Sequence, residues 1–220
     1  MKKQKLTNEL KLRSEKFILP NKEEVFFVPE EHVYYVQGYS VPSVTTLVDL
    51  TYNNSYAGVN PELLKQTAEY GTNVHTELQE WIEVRKKNPE AQIITPYAEV
   101  ENYFKFIEPI YKIEPILSEQ AVVIYDQNTN KPIAAGRFDL LCYVNHNKTL
   151  ADFKTTSTIH RKQVTLQLNL YVLGLKQSKY VDQEEKINMG AIQLSGDKSK
   201  YIPIMELSPE FLKTVCEKEE

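Results

Sequence analysis

The chain has 220 residues, 41% of them apolar and 25% charged, with a formal net charge of −4. This composition suits one globular domain with a sizeable core and excludes wholesale disorder; the net acidity excludes a generally basic nucleic-acid coat and leaves room only for a local positive groove. No run approaches the roughly 20 apolar residues that span a bilayer, and two cysteines, Cys142 and Cys216, are too few for a disulfide framework or a four-thiolate zinc or iron–sulfur site.

The first residues, Met1-Lys2-Lys3-Gln4-Lys5, are basic but lead into polar residues rather than an apolar run, unlike a secretory signal, and the expected compartment is the cytoplasm. Residues 25–28 and 33–36 predict two short strands around Pro29-Glu30-Glu31-His32, an N-terminal β-hairpin, with Gln37-Gly38-Tyr39 as a further turn. Ser40-Val41-Pro42-Ser43-Val44-Thr45-Thr46-Leu47 reads as a loop in which Ser43 caps a short helix, against the preference of its β-branched residues.

From 61 to about 84 the pattern is helical, with Thr67, Gly71, Val74, Leu78, Trp81 and Ile82 at steps of three and four. Gly71 inside a helix costs about 1 kcal/mol relative to Ala, so its place on that stripe predicts either close approach to a neighbouring backbone or a break. His75, one turn on, borders the stripe and can reach over its edge into a cleft.

Thr95-Pro96 signals a second helix, with Val100, Tyr103, Phe104 and Ile107 on its buried face and Pro109 or Pro115 as its stop. Residues 119–126, 133–144 and 149–154 then predict a three-stranded meander, with a polar turn at 127–131 and Cys142 as a small buried strand residue. Val164, Leu168, Tyr171, Val172 and Leu175 mark a helix starting near Ser157 or Thr158 and ending before Tyr180. A closing hairpin at 187–194 and 201–207, turning at 195–199, precedes a terminal helix from Ser208-Pro209 that frays over 217–220. There is no internal repeat and no low-complexity linker.

The chemistry concentrates in Leu150-Ala151-Asp152-Phe153-Lys154-Thr155-Thr156, one hairpin after Gly136-Arg137-Phe138-Asp139. Alternation along a strand puts Asp152 and Lys154 on one face and Ala151 and Phe153 on the other. If the preceding strand pairs antiparallel across the 145–148 loop, Asp139 comes within reach of Asp152, giving two acids and a lysine in one pocket. Hard oxygen ligands of this kind suit Mg2+, which takes one or two carboxylates and keeps several waters. The backbone carbonyl of Phe153 can add a third oxygen, and Glu119 another, or it can hold a water. Lys154 then stands where it can orient or help deprotonate that water, or neutralise charge on a phosphate. Read alone, Asp-x-Lys on a strand is ordinarily a solvated cross-strand ion pair. Here apolar neighbours (Phe138, Leu140, Leu141, Leu150, Ala151 and Phe153) place the acids near a buried sheet, where an unpaired carboxylate is costly.

These pieces, in this order, resemble the PD-(D/E)XK nuclease superfamily, in its RecB-like exonuclease branch: Gly71-Thr72-Asn73-Val74-His75, Glu119, Gly136-Arg137-Phe138-Asp139, Asp152-Phe153-Lys154, and Gln167 with Tyr171. The likeness covers residues 70–175, and Val41-Pro42-Ser43-Val44-Thr45-Thr46 is similar to a segment of phage members. Phe138 stands where the motif has proline. Relatives with an iron–sulfur cluster use four cysteines, so the cluster is not expected. No G-x-x-x-x-G-K-[ST] phosphate loop is present, so any unwinding falls to a separate protein.

The resemblance implies an α/β fold with a restriction-endonuclease-like core, a mixed central β-sheet flanked by helices, behind an N-terminal β-hairpin. One nuclease domain over 1–220 is expected, with 1–60 as hairpin and loop extension, 61–207 as nuclease core and 208–220 as C-terminal helix. It implies that Asp139 and Asp152 bind Mg2+ or Mn2+, that His75 and Glu119 complete the metal shell, and that Lys154 acts in catalysis. Gln167 and Tyr171, at i and i+4 on one helix face, line the site and contact DNA or order the catalytic groups. Alone, Tyr171 reads equally as core and His75 as a boundary histidine. His160, Arg161 and Lys162 are candidates for the wall of a DNA groove, or a solvated helix start. The expected activity is divalent-metal-dependent DNA exonuclease of phage or bacterial recombination and repair, acting on linear ends, in the host cytoplasm if phage-encoded. A single-strand annealing protein or recombinase is a candidate partner, and an oligomer is allowed. The competing readings are a binding module without turnover and a restriction-type endonuclease.

Overall fold

A computed structural model describes residues 3–52, 60–195 and 199–217. Met1 and Lys2, the middle of the expected turn at 196–198, and the expected fraying at 218–220 lie outside the described residues. The described residues form an α/β fold with two sheets. The first is antiparallel, in order β1-β2-β3-β4, from Glu15–Ile18, Glu24–Val28, Val33–Val36 and Tyr39–Val41, and it follows a one-turn helix α1 at Asn8–Leu12. The second is mixed, in order β5-β6-β7-β8-β9, from Ile113–Tyr125, Pro132–Val144, Asn147–Lys154, Asn188–Gln193 and Lys200–Ile204. Strands β5 to β7 form an antiparallel meander; β8 runs parallel to β7, and helix α6 (Arg161–Gln177) is the crossover that a parallel pair requires. Among the described residues no helix is long and apolar enough to cross a membrane.

Both faces of the mixed sheet are covered by helices, and α6 is buried beyond its expected stripe, at Leu166 and Leu170 as well. On one side Val122, Leu141, Leu150, Met189 and Ala191 pack with Leu166, Leu168, Leu170 and Leu175 of α6, with α2 (Val44–Tyr52), and with α7 (Pro209–Glu217). On the other, Leu140, Cys142, Ala151, Phe153 and Ile192 meet Val74, Leu78 and Ile82 of α3 (Pro61–Lys87) together with α4 (Ala98–Asn102) and the π-helical turn Tyr103–Ile107. The first sheet packs its Val25, Phe27, Tyr34 and Val36 on Ala121, Val123 and Ala135. At the outer edge of β5, side chains replace a neighbouring strand. Val123 N donates to Ser178 Oγ (3.0 Å), while Gln177 both accepts from Tyr125 N (2.9 Å) and donates to Tyr125 O (3.1 Å).

Several elements differ from expectation. The N-terminal hairpin is the middle of a four-stranded sheet; β1 escapes a periodicity reading because Glu15, Lys16 and Ile18 are exposed. Ser43 does cap α2, accepting from Thr46 N at 3.0 Å. Gly71 breaks nothing: α3 runs through it, and a Cβ there would lie 3.3 Å from the Thr155 hydroxyl, a side chain rather than a backbone. Neither Pro109 nor Pro115 stops the second helix. The π turn bonds Glu108 N to Tyr103 O, the following short helix α5 (Glu108–Tyr111) takes Pro109 in its first turn, and left-handed Lys112 (φ 46°) ends it. Thr95 is no N-cap either, since α4 starts after Tyr97. The 145–148 loop is a two-residue turn, with Asn145 and His146 left-handed at φ 48° and 66° and Asn147 and Lys148 already paired in β7. Helix α6 starts at Arg161, because Gln193 Nε2 holds the carbonyls of Thr156 (2.8 Å) and Ser157 (2.9 Å) away from a helical turn.

Candidate metal centre

Strands β5 and β6 change face at one point. Ser118 pairs with Leu140 and Gln120 with Phe138, so Glu119 and Asp139 sit opposite each other between these two pairs. Leu140 packs toward α3, but Phe138, two residues away and hence expected on the same face, packs toward α6. The break carries a left-handed Glu119 (φ 51°), a conformation uncommon for a residue with a Cβ and one that concentrates at functional sites. No propensity rule marks it in the sequence.

Asp139 Oδ2 accepts a hydrogen bond from Phe153 N at 2.7 Å and lies 3.5 Å from His75 Nδ1. His75 is presented by α3 and stands edge-on to the Phe153 ring, centroids 5.9 Å apart. Ligand atoms of His75, Glu119 and Asp139 all fall within 4.8 Å of one another. The carbonyl of Phe153, an expected oxygen ligand, belongs to β7 where it pairs with β8 at Ile192.

Asp152 stands outside that triangle. It faces α6, is 3% exposed, and its Oδ2 lies 2.8 Å from Lys154 Nζ. Lys154 in turn donates to Gln167 Oε1 at 3.4 Å, and Gln167 hydrogen-bonds the buried Tyr171 phenol one turn on. Gly136 makes room for that ring: a Cβ there would come within 2.7 Å of Tyr171 Cε1. Asp139 joins His75 and Glu119, while Asp152, which feels the charge of Asp139, pairs with Lys154. His160, Arg161 and Lys162 are exposed at the start of α6.

The sequence reading gave no role to Arg137, which pairs through Nε with Glu119 Oε2 (2.7 Å) and through Nη1 with Glu15 Oε2 (3.0 Å). Burial pushes the Glu119 carboxyl up to about 8; the Asp139 charge adds to the rise and Arg137 opposes it. Burial also raises Asp152, against the pull of Lys154 and with a push from Asp139. Tyr171 is raised well above the ordinary phenol value by its burial.

No family model matches the chain, and no curated protein matches it. A solved structure entitled "Crystal structure of SSO0001" is similar over 80% of this chain and 73% of its own, at 16% identity and a TM-score of 0.46.

Two carboxylates and an imidazole fit a hard or borderline divalent ion, and the imidazole favours Mn2+ over Mg2+. Asp152 adds a buried carboxylate beside them: its Oδ2 meets Lys154 Nζ at 2.8 Å, and it feels the charges of both Asp139 and His75.

Proposed function

We propose that the protein is a divalent-metal-dependent deoxyribonuclease with a PD-(D/E)XK core, working as an exonuclease on linear DNA ends. The observation that carries the reading is the convergence of His75, Glu119 and Asp139 within 4.8 Å, beside the ion pair of Asp152 with Lys154. A bound divalent ion would polarise the phosphate and acidify a water. His75, Glu119 and Asp139 would hold that ion, with Asp152 alongside.

Lys154, ion-paired with Asp152 and steadied by Gln167, presents an ammonium that donates to a phosphate oxygen and neutralises charge as the phosphorus is attacked. Tyr171 fixes Gln167 from behind and so acts at one remove. The exposed cations Arg161 and Lys162, with His160, would guide the DNA backbone toward the site. A role in phage or bacterial recombination, with an annealing protein or recombinase as partner, follows from the resemblance of the motifs.

The test incubates end-labelled linear DNA and closed circular DNA with Mn2+, Mg2+ or chelator, beside an Asp139→Ala control. Loss of the linear substrate only, with metal only and not with the control, is the expected result. Cut circles would make it an endonuclease. Intact substrates under both metals would leave a scaffold that binds without turnover.

A further inference from the structure

Arg137 stands between the two sheets. It lies on β6 two residues before Asp139, opposite Ala121 of β5, which is two residues after Glu119. Its guanidinium is over the Phe27 ring, 5.8 Å from the centroid, and Phe27 itself stacks on Tyr34 at 4.6 Å. One arm of the guanidinium reaches Glu15 on β1, and the other reaches Glu119. The planar fork of arginine, with donors in fixed directions, suits such a two-carboxylate bridge in a way that a lysine does not.

The consequence falls on Glu119. Its backbone is left-handed, and its carboxylate is crowded by Asp139. A carboxylate has two oxygens, and Arg137 takes one. We propose that Arg137 is a positioning residue for the metal centre: seated on Phe27 and anchored by Glu15 of the N-terminal sheet, it fixes the Glu119 carboxylate so that its second oxygen serves the cation. The N-terminal sheet is then part of the site's construction. This rests on the reading of His75, Glu119 and Asp139 as metal ligands.

Calorimetric titration with Mn2+ tests it on the full chain, on Arg137→Ala, on Glu119→Gln and on the double variant, with unfolding midpoints in chelator as a check on folding. Partners that orient metal ligands typically cost roughly 10- to 100-fold in metal affinity when removed, and that loss is expected for Arg137→Ala. In the Glu119→Gln background the same substitution should change nothing further, because the two act as a unit. Unchanged Mn2+ affinity in Arg137→Ala, or an equal loss in both backgrounds, would overturn the proposal. If Arg137→Ala does not fold, Arg137→Lys takes its place under the same criteria. Absence of Mn2+ binding by the unmodified chain overturns the metal reading itself, and this inference with it.

Discussion

The carboxylate of Asp139 takes over from the backbone where the β6–β7 ladder stops. The last backbone pair is Leu140 with Ala151; beyond it Asp139 Oδ2 accepts from Phe153 N at 2.7 Å. The acid facing His75 therefore also holds the strand that carries Asp152 and Lys154. Asp139→Ala leaves a part-buried N–H without its acceptor and should cost about 1–3 kcal/mol. Asp139→Asn keeps an acceptor and should cost less, while both should abolish the proposed metal-dependent cleavage. Urea unfolding of the two variants compares the costs, and equal stabilities would count against the strand-holding role.

Lys154 and Asp152 are unequal partners, because only the acid is fully buried. Removing the cation with Lys154→Ala leaves a buried charge uncompensated, a loss on the order of 3 kcal/mol. Asp152→Asn removes the charge that needed compensation and should be milder. Denaturant midpoints in chelator measure both, and the opposite ranking would refute the asymmetry.

The raised carboxyls also set a pH dependence for the metal-free protein. Glu119 moves up from 4.5 to about 8, with burial as the main cause, so between those values the folded chain binds more protons than the unfolded one. Stability then falls as pH rises through that window, and raised Asp152 contributes in the same direction. Unfolding midpoints from pH 5 to 8 in chelator should decline, less steeply in Glu119→Gln. A flat or rising profile contradicts the assignment.

Gly136 and Gly71 make a contrasting pair. An alanine at 136 would press a Cβ to 2.7 Å from Tyr171 and 3.0 Å from Val44; overpacking of this kind costs about 1–3 kcal/mol. At 71 the nearest atom is the Thr155 hydroxyl at 3.3 Å, which can rotate, and helix propensity gains roughly 0.5–1 kcal/mol. Gly136→Ala should destabilise and Gly71→Ala should not, as read by thermal unfolding.

DNA affinity should fall with salt if the start of α6 meets phosphates. Arg161→Ala and Lys162→Ala are each expected to weaken binding of any sequence alike and to lower the slope of log affinity against log salt by about one. Fluorescence anisotropy with labelled DNA at several salt concentrations measures the slope. An unaltered slope removes these residues from the interface.

The meander, α3 and α6 are legible in the sequence because they are long and periodic, and alternation alone puts Asp152 and Lys154 on one face. What is not legible depends on contacts far apart in the chain or on unusual backbone. Glu15 and Arg137 are 122 positions apart. No local pattern marks Glu119 as left-handed. The π turn before Pro109 is hidden for a similar reason, since a proline there reads as a stop unless the hydrogen-bond step lengthens ahead of it.

The amide of Gln177 imitates a strand, giving and receiving one hydrogen bond at Tyr125 just as a backbone neighbour would. An uncapped rim of this kind is a template on which a second copy can add, the first step toward amyloid-like stacking. With Ser178 at Val123, two side chains at the end of one helix occupy that template at β5 and close it to an added strand.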